Sequence, residues 1–331
     1  MKRRDVLLFA PACLAGALTS PALPQSKYPE RPIRVIVPAA AGAVSDVVVR
    51  PWAAKIKELL GVVVVENQGG GGGVIGATAV ARSNPDGYTI LVGTVSTHVH
   101  MAGTLPYDPV RDFAPISILA ITALSVVTNP SLPARTLREL IDYAKSNPGK
   151  LSYGSGGIGS VANLAGELFK SLTATADIVH VPYKSIGLAL SDVVSGNISL
   201  TMMSVTPQVL ELHRSGQVRM LAVAAPARLV AAPDIPTAEE AGLPGMIAHN
   251  FMGLFAPTGT PTTIVDRLSQ ATRTAMADNE FRKRLMVSGF EPYPDSSPEA
   301  ARRFVGDEII HWAPIIKRLN LGMRSGVSER T

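Results

Sequence analysis

The sequence predicts an α/β fold on largely parallel sheet, from three observations. Short apolar strands alternate with helical stretches at the spacing of crossover units. One βαβα layout occurs twice, before and after residue 125. Loops of Gly, Ala and Ser follow several strands and open helices. At 331 residues the chain has room for one large or two ordinary domains.

In the first half, Arg34–Pro38 reads as a strand and Ala39–Ala43 as its exit loop. Ser45 or Asp46 caps a helix to Leu60, with a kink or a late start at Pro51. Val62–Val65 and Thr89–Val92 are the next strands, joined by a glycine loop and a helix. Pro130 and Pro133 mark a break, and Thr136-Leu137-Arg138-Glu139 is a capping box that opens a helix. The second half places strands at Leu151–Tyr153, Ile178–Val181, Ile198–Met202 and Met220–Ala224, with helices between them. Residues 226–262 read as proline-rich loop containing an apolar stretch, Phe251–Phe255. Helices then fill Thr263–Ala277, Glu280–Val287 and Pro298–Leu319, the last capped by Ser297 with a bend at Pro314.

Residues 1–22 have the pattern of a cleaved export signal: Lys2, Arg3 and Arg4, an apolar stretch Val6–Leu18, and Ser20-Pro21-Ala22 at the cut. The route is Sec-type, with Arg3-Arg4 keeping a twin-arginine signal as the alternative. The formal charge of +5 drops by two, to +3, without this segment, and no basic run remains to hold nucleic acid. The single cysteine, Cys13, lies inside the segment, so the mature chain has no thiol chemistry. The expected product is periplasmic.

The run Gly69–Gly73 raises the question of a phosphate cradle. A Walker loop needs lysine where Ala77 stands, and the dinucleotide pattern Gly71-x-Gly73-x-x-Gly76 lacks its downstream acid. No nucleophile elbow or zinc motif occurs, and His98 and His100 have no third ligand at a recognisable spacing. No metal or cofactor is expected. Three loops, 39–45, 69–76 and 154–160, with Gly93–Thr97 after a further strand, would instead present helix N-termini and bare backbone to a small anion such as a carboxylate.

Longer stretches carry a resemblance. Tyr28-Pro29-x-x-Pro32-Ile33-Arg34, Gly42-x-x-Ser45-Asp46, Val64-Val65-Glu66-Asn67, Pro85-Asp86-Gly87-Tyr88-Thr89, Leu164-Ala165-Gly166-Glu167, Val179-His180-Val181-Pro182-Tyr183-Lys184 and Glu240-Ala241-Gly242-Leu243-Pro244-Gly245 resemble the Bug family across nearly the whole mature chain. These are extracytoplasmic solute receptors of tripartite tricarboxylate transporters. The resemblance implies a two-lobed periplasmic-binding-protein fold of the flytrap type (type II), with a mixed or parallel sheet in each lobe. Lobe 1 would take residues 27–124 plus 252–331 and lobe 2 residues 125–251. It also implies a monomer that delivers a carboxylate to integral membrane transporter subunits and catalyses nothing.

The ligand is then expected on the backbone of Ala40, Ala41 and Gly42 and of Ser155, Gly156, Gly157, Gly159 and Ser160. Hydroxyls of Ser45, Thr94, Ser96 and Ser160 would assist, with Asp46 orienting the first loop. Ala39, Ile158, Asn163 and Met203 depart from the residues common in the family, and Ser204 ends the same strand as Met203. The departures point to a less polar pocket, for an aromatic or branched carboxylate. The alternatives are an exported α/β hydrolase with a dispersed triad and a sensory module signalling to a membrane kinase.

Overall fold

A computed structural model of the chain describes residues 28–99 and 105–319. The signal segment, Cys13 and His100 lie outside the described residues.

Strands β1 (Ile33–Val37), β2 (Val63–Asn67) and β3 (Thr89–Gly93) are parallel in the order β2-β1-β3. Helix α1 (Val44–Leu60) links β1 to β2 and α2 (Val74–Ala81) leads to β3, followed by the single turn α3 (Val95–His98). Pro51 sits inside α1 on an exposed face, so the helix neither stops nor starts late there. Its N-cap is Ala43, with no side-chain cap, so Ser45 and Asp46 belong to the first turn and the expected cap does not form.

The architecture turns on two strands, one in a stretch the sequence reading left unassigned and one it read as loop. β4 (Phe113–Thr128) runs 16 residues, and β9 (His249–Pro257) returns antiparallel beside it. Along Phe113–Ala123, β4 pairs with β9, which also pairs with β3. Along Leu124–Thr128 it pairs with β7 (Leu200–Ser204) and β8 (Arg219–Val223). Beyond β7 lie β5 (Ser152–Ser155) and β6 (Val179–Pro182), both parallel. One strand thus belongs to both halves of a continuous mixed sheet, the short β10 (Glu291–Pro292) pairing with it midway.

In the second half, α4 (Leu137–Ser146) opens at Thr136, whose Oγ1 accepts the Glu139 N–H at 3.2 Å. Glu139 reaches back to the Arg135 N–H, one residue beyond the predicted box. α5 (Val161–Thr173), α6 (Ile186–Ser195) and α7 (Pro207–Arg214) begin at the side-chain caps Ser160, Ser185 and Thr206. Helices α8 (Thr262–Met276), α9 (Asn279–Val287) and α10 (Pro298–Arg318) close the fold, and α10 continues through Pro314. Its Trp312 is fully buried in a core shared with Phe251 and Phe255. Truncating such an aromatic costs about 3–5 kcal/mol.

Candidate functional site

The carboxyl ends of β1 and β3 in the first half, and of β5 and β7 in the second, all point toward the crossing of β4 and β9. This brings the loops after β1, β3 and β5 to the same crossing, where open α/β sheets take ligands.

The first loop, Pro38–Ala43, is held from beneath by Asp46. Its Oδ2 accepts the Gly42 N–H at 2.6 Å, and the Asn67 amide donates to both its oxygens at 3.2 and 3.3 Å. Arg50 Nε lies 3.3 Å from Oδ1, and its Nη2 donates to Asn67 Oδ1 at 2.6 Å. The glycine run explains itself here. A Cβ on Gly76 would sit 2.7 Å from the Gln68 carbonyl and 3.1 Å from Pro38 Cα, and one on Gly69 2.9 Å from Ala40 N. Gly70–Gly73 all adopt positive φ, which lets the chain turn tightly against the first loop. The glycines are packing devices.

Thr94 and Thr97 form a reciprocal capping box on α3, and the side-chain oxygen of Asn250, Oδ1, accepts the Val95 N–H at 3.2 Å. Asn250 pairs with Thr122, whose hydroxyl donates to Val205 O at 3.0 Å. Their neighbours Ala123 and His249 point to the opposite face of the crossing. That face, with Ile121 and Glu291, lines a mostly apolar cleft of about 230 Å3, so the cleft lies behind the crossing from the α3 side.

The second loop, residues 156–160, is held by neutral groups, of which Ser155, Asn163 and Tyr153 are buried and His180 half-buried. Ser155 Oγ accepts the Gly157 N–H at 3.1 Å and sits 2.7 Å from His180 Nε2. Asn163 Oδ1 accepts the Gly159 N–H at 2.9 Å. Its Nδ2 donates to Tyr153 Oη at 2.8 Å and faces His180 Nδ1 at 3.5 Å. Tyr153 in turn donates to Glu167 at 2.7 Å, Glu167 pairs with Lys170 at 3.0 Å, and the His180 ring stacks on Tyr153. Burial pushes the His180 imidazole below its ordinary range; Glu167 opposes this and Lys170 adds to it.

These contacts fix the histidine's tautomer. Asn163 must turn its oxygen to Gly159, so its NH2 faces Nδ1, which is therefore the acceptor. The proton lies on Nε2 and is donated to Ser155, whose own hydroxyl hydrogen goes to Gly157 O at 3.1 Å. A serine triad needs the reverse, a bare Nε2 that takes the serine proton.

Ser155 and Asn163 are thus buried, with side chains spent inside the protein. Ser45 and Asp46 are buried beneath the first loop, Thr94 caps α3, and Ser96 is half-buried on its first turn. Ser160 caps α5. Met203 packs into the core with Val205, Val209 and Val223, and Ser204 beside it is buried at the end of β7. Tyr183 is tied to Asp192 at 2.6 Å. The backbone N–H groups of Ala40, Ala41, Gly156 and Ile158 make no hydrogen bond among the described residues, and Ala40, Ala41 and Ile158 are exposed. Sequence reasoning missed Asn67, Tyr153, His180 and Asn250. The motifs held the first and third, but nothing in the spacing said which loop each would brace.

A family model described as the tripartite tricarboxylate transporter family receptor matches residues 48–321. The chain belongs to this family. BugT of Bordetella pertussis is 35% identical over 295 residues, covering 88% of this chain and 90% of that protein. A solved R. palustris protein with adipate shares 33% identity at a TM-score of 0.82, covering 88% of this chain and 98% of its own. MatC from Rhodopseudomonas palustris with bound malate shares 34% identity at 0.80, covering 87% and 100%. The fold is the two-lobed α/β fold of periplasmic binding proteins, and no helix among the described residues is long and apolar enough to cross a membrane.

Proposed function

We propose that this receptor captures a small carboxylate between the loop after β1 and the loop after β5, closing about β4 and β9. One observation carries the reading. Each loop is braced by side chains beside it while several of its amides make no hydrogen bond among the described residues, and neither loop contains a lysine or arginine. Fixed amides aimed at one place bind an anion without a cation, because they need no reorganisation. Adipate and malate in the two related structures agree with this chemistry.

Residues 27–124 plus 252–331 would move as one lobe and 125–251 as the other. Ala39, Ala40 and Ala41 on one side and Ile158 on the other, 63% exposed at the loop tip, would enclose the ligand's body. This favours an aromatic or branched carboxylate over one with several charges, and Met203, buried in the core, takes no part. The protein works as a monomer in the periplasm after losing residues 1–22, and hands its ligand to membrane subunits of a tripartite transporter. Ser155 and His180, 2.7 Å apart, invite a hydrolase reading, but the proton on Nε2 argues against it.

The test is thermal unfolding of residues 23–331, refolded to strip bound ligand, against aliphatic and aromatic carboxylates. A ligand at 100 times its Kd adds about 2.7 kcal/mol, a shift of a few degrees. Selective response to apolar acids is expected; response to citrate alone would overturn the ligand preference, and silence across the panel the anion site.

A further inference from the structure

We infer that His180 and Asn163 are positioning residues for the second loop, and that neutral His180 with its proton on Nε2 keeps that loop in its ligand-accepting shape. The inference rests on the loop's proposed role only for its bearing on ligand; the brace itself is read from the geometry.

The loop's shape depends on two amides being consumed within the protein, Gly157 by Ser155 and Gly159 by Asn163. Both acceptors are held by His180: Ser155 directly at 2.7 Å, and Asn163 through the 3.5 Å approach of its NH2 to Nδ1. A proton added at Nδ1 would set an N–H against that NH2 group. The amide relieves the clash by turning over, which brings Oδ1 to the imidazolium and NH2 to the Gly159 N–H. The Gly159 N–H then loses its Asn163 acceptor, which loosens the turn although the Ser160 N–H and hydroxyl still donate to Gly157 O. One proton from solvent thus becomes a change in loop shape.

The titratable groups facing His180 are Tyr153 from β5 and Glu167 and Lys170 from α5. The Tyr153 hydroxyl and Lys170 both meet Glu167 at Oε1, and no hydrogen bond joins Glu167 to His180 among the described residues. Burial and Lys170 hold His180 neutral at ordinary pH, the state the geometry requires.

Two features of the unliganded full chain can be followed by NMR: the His180 ring nitrogens and the hydrogen-exchange protection of the Gly159 amide, from pH 8 to pH 5. The expected result is an Nε2-protonated ring at pH 8 and a protection factor for Gly159 that falls at least tenfold as His180 takes up its proton. His180→Gln, which keeps one donor and one acceptor but cannot titrate, should hold Gly159 protected across the range. Asn163→Asp, which can accept from Gly159 and from an imidazolium together, should raise the pH at which His180 titrates while leaving Gly159 protected. An Nδ1-protonated ring at pH 8, or protection indifferent to the titration of His180, overturns the inference, and the wild-type titration decides this even if neither variant folds. Silence in the carboxylate panel would sink the functional reading without touching this result.

Discussion

The two loops proposed to take the ligand rest on opposite materials. The loop after β1 rests on a carboxylate, Asp46, paired with a half-exposed guanidinium, Arg50. The loop after β5 rests on an uncharged chain between β5, β6 and α5, the buried Ser155, Asn163 and Tyr153 with the half-buried His180. Water can replace what the exposed Gly42 N–H loses, but not what the buried Gly159 N–H loses, because a buried donor without a partner keeps its whole desolvation cost. A loop's tolerance of mutation therefore depends on how wet its braced amides are.

The largest effect that would sharpen this contrast is expected from Asn163→Leu. It strips the acceptor from the buried Gly159 N–H and a donor from Tyr153, and should cost about 3 kcal/mol. Urea unfolding should show a lower midpoint at unchanged slope; a loss under 1 kcal/mol would break the comparison.

Acid comes next. His98, buried against Phe113, Phe251 and Phe255, has its imidazole pushed down to about 3 by burial. The unfolded chain takes up this proton near pH 6.5 and the folded chain does not, so stability is lost as pH falls below that value. The slope approaches about 1.4 kcal/mol per pH unit, or roughly 2 kcal/mol between pH 7.5 and 5 from His98 alone. His180 adds in the same direction, so unfolding of His180→Gln over this range should lose the smaller share and keep the larger. A flat pH profile would show that neither ring is held neutral.

The smallest effect is expected from Asp46→Ala. It leaves Gly42, Asn67 and Arg50 without their acceptor, but Arg50 is 49% exposed and the loop is open to solvent. Discounted for that screening, the loss should be about 1–2 kcal/mol by the same unfolding measurement. A cost above that of Asn163→Leu would reverse the ranking of the two supports.

Much of this was legible in the sequence, for a physical reason. Strands such as Ile33–Val37 and Thr89–Gly93 are short, apolar and fenced by turn residues, so their positions emerge to within about two residues. β4 and β9 were not legible because they are buried on both faces. FAPISILAITALSVVT and HNFMGLFAP carry no alternation, and Pro115 and Gly253 read as breakers although they fit into the ladder. The candidate site divides likewise. Its loops are local and can be read from Gly, Ala and Ser after a strand, whereas the place of His180 cannot, because Ser155 and Asn163 lie 25 and 17 residues away in the chain. Met203 was placed in the pocket by its position at a strand end, but its side chain points into the helices behind.

The place of β9 has a consequence for how the chain comes together. It lies between β3 and β4, which are not bonded to each other, and it begins only at residue 249. Until then β1, β2 and β3 form one fragment and β4 with its later partners another, and no ladder joins them. Closing the intervening loop of over a hundred residues costs little more entropy than closing a short one, but it makes the decisive pairing non-local and hence slow. A growing chain stays in two unjoined pieces until three quarters of it has been made, and the strand proposed as part of the hinge is also the last large piece of the central sheet to arrive.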